Sequence, residues 1–294
     1  MKKFLSIVAA GVCLAASAYE NYTQAYKAGS AKRSKRDYKA AVADFAAAEK
    51  LAKNPSMLFN AKLMQGICLC EGKEYDKGYA LLRKTIEEEK TPYNKGYASF
   101  YLGTCLFSNK KYQEAVEVLS TAETLLKGKN LTMVDRANYY IANSLVKLKK
   151  YKEALEVAEK VSNSKNEGMA IGGLVVKGNA ATGLRDKAAV ENTVARLVQW
   201  DKKVAKPSYA AKSALANCYR WLGRHDEAAK CGRDIAECKS FTAYQKAYGN
   251  YFMAVSYDSM KKPELAAEQW EILSKCNVPW LVKLAKKNLK PVKK

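Results

Sequence analysis

The stretch NKKYQEAVEVL at residues 109–119 is written again thirty-nine residues later as LKKYKEALEVA at 148–158, with seven of eleven positions identical. A phrase repeated at a fixed period restricts a chain to architectures made of like units. Aligned on a small residue and on a second position twelve residues later, the sequence falls into seven registers. The small column reads Gly29, Gly66, Gly103, Ala142, Gly178, Ala216 and Ala254. The second column reads Ala41, Gly78, Ala115, Ala154, Val190, Ala228 and Ala266. Successive spacings are 37, 37, 39, 36, 38 and 38 in both columns.

Phe45, Leu82 and Leu119 follow the second column by four residues, and Ala48, Thr85 and Ala122 by a further three. Those steps mark one face of a helix. The stretches between the columns are short and polar (SKRD, GKE, NKK, LKK, LRD, LGR, MKK). Each unit therefore reads as two antiparallel helices, with the small column letting the first approach the second. One pair cannot bury its apolar face alone, so the pairs are expected to stack into an all-α solenoid. The units start near residues 22, 59, 96, 135, 171, 209 and 247, within a repeat region spanning 19–276. The segment 277–290 places Leu281, Leu284, Ala285 and Asn288 on one face behind Pro279, as a helix capping the last pair would. Residues 291–294 are a basic tail. GMAIGGLVVKG, residues 168–178, carries four glycines; a bend and unusually close packing are both open readings.

The pattern resembles the tetratricopeptide repeat. The residues that carry the resemblance are the glycine column, the tyrosines Tyr38, Tyr75, Tyr112 and Tyr151 opening the second helix, and the Ala41-to-Phe45 spacing. It covers about residues 22–276. The period is longer than the family's 34, the family's early tryptophan is absent, and the fifth unit lacks the tyrosine and alanine at their columns. The resemblance implies a non-catalytic scaffold for protein–protein interaction, with helix A residues lining a concave groove for a partner's segment.

The N-terminus, MKKFLSIVAAGVCLAASAYE, has two lysines, a 13-residue apolar run broken only by Ser6, and Ala16-Ser17-Ala18 as a small-x-small site. Residues 1–18 read as a secretory signal peptide cleaved before Tyr19. Val12 before Cys13 argues against a lipoprotein signal. No run is long enough to span a bilayer as a helix. The start and the Ala-rich core suggest a bacterial protein exported across the inner membrane to the periplasm or cell surface. The chain carries 51 Lys+Arg against 29 Asp+Glu, a net +22. Such a field favours polyanions, and an exported protein would meet anionic envelope polymers before nucleic acid. Solvated lysine-rich helix faces are the other reading of the same charge.

The chemistry of catalysis finds little to build on. There is one histidine, His225, in the column that holds tyrosine in the first four units, and it reads as a packing substitute. No HExxH, GxxxxGK[ST] or GxGxxG motif occurs. The expectation is no enzyme, no metal and no cofactor. Cys68, Cys105 and Cys218 share one column, which suits small apolar packing; inter-unit disulfides, Cys68–Cys105 first, are the alternative in an oxidising compartment.

On the expected inner face, the residue after the small column is Asn143, Asn179 and Asn217 in three successive units. An amide side chain offers both a donor and an acceptor, so a row of three could hold the peptide groups of an extended partner. Three residues before the small column stand Tyr26, Phe100, Tyr139 and Tyr251, and four after it stand Arg33 and Arg220. The expected partners are other proteins or peptides bound in this groove. The alternative is an anionic envelope polymer or carbohydrate held by a basic, aromatic-containing surface, and a third reading is an enzyme accessory without its own site.

Overall fold

The computed structural model describes residues 19–204 and 206–289. The expected signal segment 1–18 and basic tail 291–294 lie outside the described residues. Fifteen α-helices and no strand occur among the described residues: seven helix pairs and a closing helix.

The chain divides into two compact units, with the boundary after Ser144. The first holds three helix pairs: α1 (Tyr22–Ser34) with α2 (Tyr38–Lys50), α3 (Pro55–Glu71) with α4 (Tyr75–Glu88), and α5 (Pro92–Ser108) with α6 (Tyr112–Leu126). It ends in α7 (Leu131–Lys147), which runs across the boundary. The second opens on α8 (Tyr151–Ser162) and continues with α9 (Glu167–Leu184) and α10 (Lys187–Asp201), α11 (Tyr209–Trp221) and α12 (His225–Glu237), α13 (Ala243–Ser259) and α14 (Pro263–Ser274), and α15 (Pro279–Asn288). Capping explains where these helices start. Asn21, Asp37, Asn54, Thr91, Asn166, Asp186, Ser208 and Thr242 each accept a first-turn backbone N–H through their side chain. Proline sits in the first turn of α3, α5, α14 and α15, where its missing N–H costs nothing.

The two sequence columns meet inside each pair. A Cβ on Gly29 would stand 3.0 Å from the Phe45 ring, and one on Gly66 would stand 2.6 Å from Leu82 Cγ. Gly103 meets Leu119 in the same way. The small column is thus the recess that receives the bulky residue of the second helix, and Phe45, Leu82 and Leu119 are fully buried there. In the second unit the closest approach is backbone on backbone. A Cβ on Gly249 would lie 2.5 Å from Gly232 O, and one on Gly232 would lie 2.7 Å from Gly249 O. The glycine-rich 168–178 segment resolves the same way: α9 is one continuous helix, and Gly173 faces the backbone of Val161 and Ser162 at the end of α8. Close packing accounts for Gly173, and a Cβ on Gly178 would stand 3.0 Å from Cys218 Sγ; Gly168, in the first turn, is not closely packed. At the end of the second unit, Leu281 and Ala285 of α15 are buried against Ala266, Trp270 and Leu273 of α14. The closing helix covers the apolar side of the last pair.

Every turn from first to second helix is made alike. Seven residues after each small-column position, the backbone takes a left-handed conformation, at Arg36, Lys73, Lys110, Lys149, Arg185, Gly223 and Lys261, with φ between 56° and 75°. The next residue donates its N–H to a carbonyl five residues back, as Asp37 does to Lys32, Glu74 to Leu69, Lys111 to Leu106 and Lys262 to Tyr257. This is the Schellman closure of a helix C-terminus. Six of the seven corner residues are cations, which suits the negative end of a helix dipole. The short segments between paired helices together hold eleven cations against three carboxylates, so a substantial part of the net +22 belongs to turn chemistry. A side chain in the left-handed region carries a steric cost that glycine lacks. Lys110→Gly should therefore raise the unfolding free energy by about 0.5–1 kcal/mol, a gain that urea denaturation followed by circular dichroism would register.

The seven cysteines among the described residues are free thiols. Cys68 and Cys105 are not paired. Cys68 packs with Ala41 and Phe45, whereas the thiol hydrogen-bonded to Cys105 is that of Cys70. Two residues turn a helix by about 200°, so Cys68 and Cys70 face opposite sides of α3.

Candidate functional site

In the first unit the faces of α1, α3, α5 and α7 border an open groove of about 410 Å³. Its wall carries Ile67 and Thr104, the residues that follow the small column in α3 and α5. Tyr38, Tyr75, Tyr101 and Tyr140 line it with phenol rings, and Thr104 and Ser108 add hydroxyls. Arg33, Lys73 and Arg136 are its cations, against Glu71 as the carboxylate. Arg33 and Glu71 form a two-pronged pair, with Nε to Oε2 at 2.8 Å and Nη2 to Oε1 at 2.6 Å. Glu71 is thereby neutralised, while the Arg136 guanidinium lies 4.9 Å from the centroid of the Phe100 ring. The surplus is positive. Phenols, hydroxyls and guanidinium groups together form a surface that accepts a chain carrying carboxylates and free peptide groups.

The expected site residues are distributed unevenly. Arg33 lines this groove. Phe100 also borders the groove, but from beneath its surface, because it is fully buried. Its neighbours are Tyr101, Tyr140 and the Arg136 guanidinium. The accessible rings are those of Tyr101 and Tyr140, one residue later in the helix. A shift of one residue rotates a side chain by about 100°, from the seam between helices to the open face. Tyr26 is half-buried, stacked on Tyr22 at 5.4 Å and edge-on to Phe45 at 5.2 Å. Tyr139 stands edge-on to Tyr140 at 5.5 Å. Asn143 donates its side-chain N–H to the Tyr139 carbonyl at 2.8 Å, so its donor is partly engaged within its own helix.

The second unit has its own cavity of about 510 Å³, bordered by Asn179, Asn217, Arg220, Trp221 and His225. It brings two of the three column asparagines together. Arg220 also lies 5.6 Å from the Tyr251 ring centroid, in cation–π geometry. His225 opens α12, where its Nδ1 is buried without a hydrogen-bond partner among the described residues. Buried thiols in both units are held protonated. Burial pushes Cys68 up to about 12 and Cys218 up to about 11. The hydrogen bond to Cys70, with burial, pushes Cys105 up as well. A protonated thiol is a poor nucleophile. Among the described residues no three His, Cys, Asp or Glu side chains converge as a metal site would require. Nor is any described helix long and apolar enough to cross a membrane.

A family model described as "Anaphase-promoting complex, cyclosome, subunit 3" matches residues 91–161. Solved structures resemble far more of the chain. A tetratricopeptide repeat protein from Parabacteroides merdae ATCC 43184 aligns over 92% of this chain and 99% of its own, at 11% identity and a TM-score of 0.63. The chain has the tetratricopeptide-repeat fold. The apo form of RapI aligns over 90% of this chain and 80% of its own, at 14% identity and a TM-score of 0.68. A Rap protein complexed with Competence and Sporulation Factor aligns over 94% and 78%, at 15% identity and a TM-score of 0.53. No curated protein matches the sequence. In tetratricopeptide terms, the first-unit groove is walled by the leading helix of each repeat, and its rim is set by the corner residue Lys73.

Proposed function

We propose that the chain is a non-catalytic protein-binding scaffold whose first-unit groove takes an extended, acidic segment of a partner. The observation that carries this reading is the groove's make-up: three cations and four phenols around a single carboxylate that Arg33 already pairs. A fold neighbour complexed with Competence and Sporulation Factor supports a binding role for such a scaffold. In the second unit, Asn179 and Asn217 border a separate cavity and would hold the peptide groups of a bound segment there. The composition of residues 1–18 supports export to the bacterial envelope, which makes envelope proteins the partner class.

Peptides selected from a random display library against the purified protein should be rich in Asp and Glu. Thr104→Trp fills the groove, and it should weaken those peptides at least about tenfold, roughly 1.4 kcal/mol. Its helicity should be unchanged. Fluorescence anisotropy gives the affinities. Equal affinity for Thr104→Trp would remove the groove from the function. Selection of neutral apolar peptides would remove the acidic preference.

A further inference from the structure

The last helix has two faces, and only one of them is explained by the fold. Leu281 and Ala285 are buried against α14. On the other side Trp280 is 46% exposed, and with Lys283, Leu284, Lys286 and Lys287 it borders a shallow cavity of about 560 Å³. The indole is braced from behind, with the rings of Tyr248 and Tyr251 at 5.7 and 5.5 Å. Tyr244, 51% exposed, joins this cluster through a 3.1 Å contact between its hydroxyl and that of Tyr248.

The segment that carries this face is basic throughout, with no carboxylate of its own to offset its lysines. Lys283, Lys286 and Lys287 pair with no carboxylate among the described residues. From Asn277 to the last residue the sequence holds six lysines and no Asp or Glu. A large aromatic cluster with Leu284, flanked by unpaired ammonium groups, is costly to leave in water. Trp and Tyr favour the boundary between headgroups and acyl chains, where an amphipathic helix lies with its apolar side down. Lysines beside it gain from an anionic leaflet.

We propose that the outer face of α15, with the Trp280–Tyr248–Tyr244 cluster, docks the protein on an anionic phospholipid bilayer. This surface shares no residue with the first unit's groove. A bilayer fits this face better than a glycan does. A sugar needs donors and acceptors beside the stacking ring, and the side chains beside Trp280 are leucine and lysine.

The test uses the full chain and sucrose-loaded vesicles of phosphatidylcholine, with or without phosphatidylglycerol. Co-sedimentation should require phosphatidylglycerol and weaken as salt rises. Lys283→Gln/Lys286→Gln/Lys287→Gln should lose on the order of 100-fold in partitioning, with the melting curve shifted only slightly, because the side chains are exposed and only the favourable last-turn charge of Lys286 and Lys287 is lost. Brominated lipid should quench tryptophan fluorescence in the wild type. Trp280→Phe should largely remove that quenching and leave most of the binding. Equal partitioning of the triple variant would overturn the proposal, as would indifference to phosphatidylglycerol. Binding to dextran sulfate as tight as to vesicles, without quenching by brominated lipid, would assign the face to soluble polyanions instead.

Discussion

Gly249→Val is expected to destabilise the second unit by more than about 3 kcal/mol, with Gly249→Ala costing about 2 kcal/mol. The added Cβ would stand 2.5 Å from Gly232 O and 2.6 Å from Ala236 N. Both atoms belong to the α12 backbone, which cannot step aside as a side-chain tip can. Relief requires α12 and α13 to separate, which opens the contacts around Phe252, Met253 and Ile235. Alanine recovers up to about 1 kcal/mol from its better helix propensity, which is why its net cost is smaller. For a unit of this size, 3 kcal/mol corresponds to a fall in Tm of about 6–12 °C. Gly168→Ala is the matched control. Its Cβ would meet only Asn166 Oδ1, at 3.3 Å, so it should be neutral or slightly stabilising. Thermal unfolding followed by circular dichroism separates the three. Equal melting for Gly249→Val and Gly168→Ala would contradict the backbone contact.

Glu159→Gln should cost about 2 kcal/mol, and it should flatten the acid limb of the stability curve. Glu159 on α8 pairs with Lys177 of α9, which is buried, and with Arg196 of α10 at 2.9 Å. Removing its charge leaves the Lys177 ammonium with Asn192 Oδ1 at 2.9 Å as its remaining contact. A fully buried broken pair costs more, but the Glu159 side chain is 43% exposed and solvent screens part of the loss. The pH dependence follows from the same geometry. Burial alone would raise the Glu159 carboxyl, but the ion pairs with Lys177 and Arg196 outweigh it and hold the group below its ordinary 4.5. A carboxyl depressed in the folded state adds stability that is present above 4.5 and lost as pH falls through the folded value. Urea midpoints taken across acidic pH should therefore show a wild-type increment that Glu159→Gln lacks. Parallel curves for the two proteins would show that the network contributes nothing measurable.

The repeat columns made the helix pairs legible because they encode a physical fit: a glycine where a leucine or phenylalanine must enter. Gly66 and Leu82, or Gly29 and Phe45, could be read from spacing alone. The corner is legible in the sequence too. The position seven after the small column is Arg36, Lys73, Lys110, Lys149, Arg185, Gly223 and Lys261. The lone glycine among cations was the signal for a left-handed residue. The open face of the groove is less legible, since both Phe100 and Tyr101 border it. Phe100 and Tyr101 are adjacent, both aromatic, and a period near 3.6 does not decide which of two neighbours looks outward. That depends on where the next repeat's leading helix sits, which no single repeat specifies. Cys70 was missed beside Cys105 for the same reason, since column membership favoured Cys68.

The uniform corner has a kinetic consequence. Each turn from first to second helix spends two or three residues, while the return links range from three to seven. Closing so short a loop costs little chain entropy, and the cost is nearly the same in every pair. The contacts that reward closure, such as Gly66 with Leu82, lie only sixteen residues apart. Such a chain has low contact order, which favours rapid folding from local hairpins. Several pairs can serve as the starting nucleus, with neighbours adding on either side. The slack in the return links then decides how fast structure spreads from pair to pair, so the longest link, residues 202–208, is the natural place for that spread to pause.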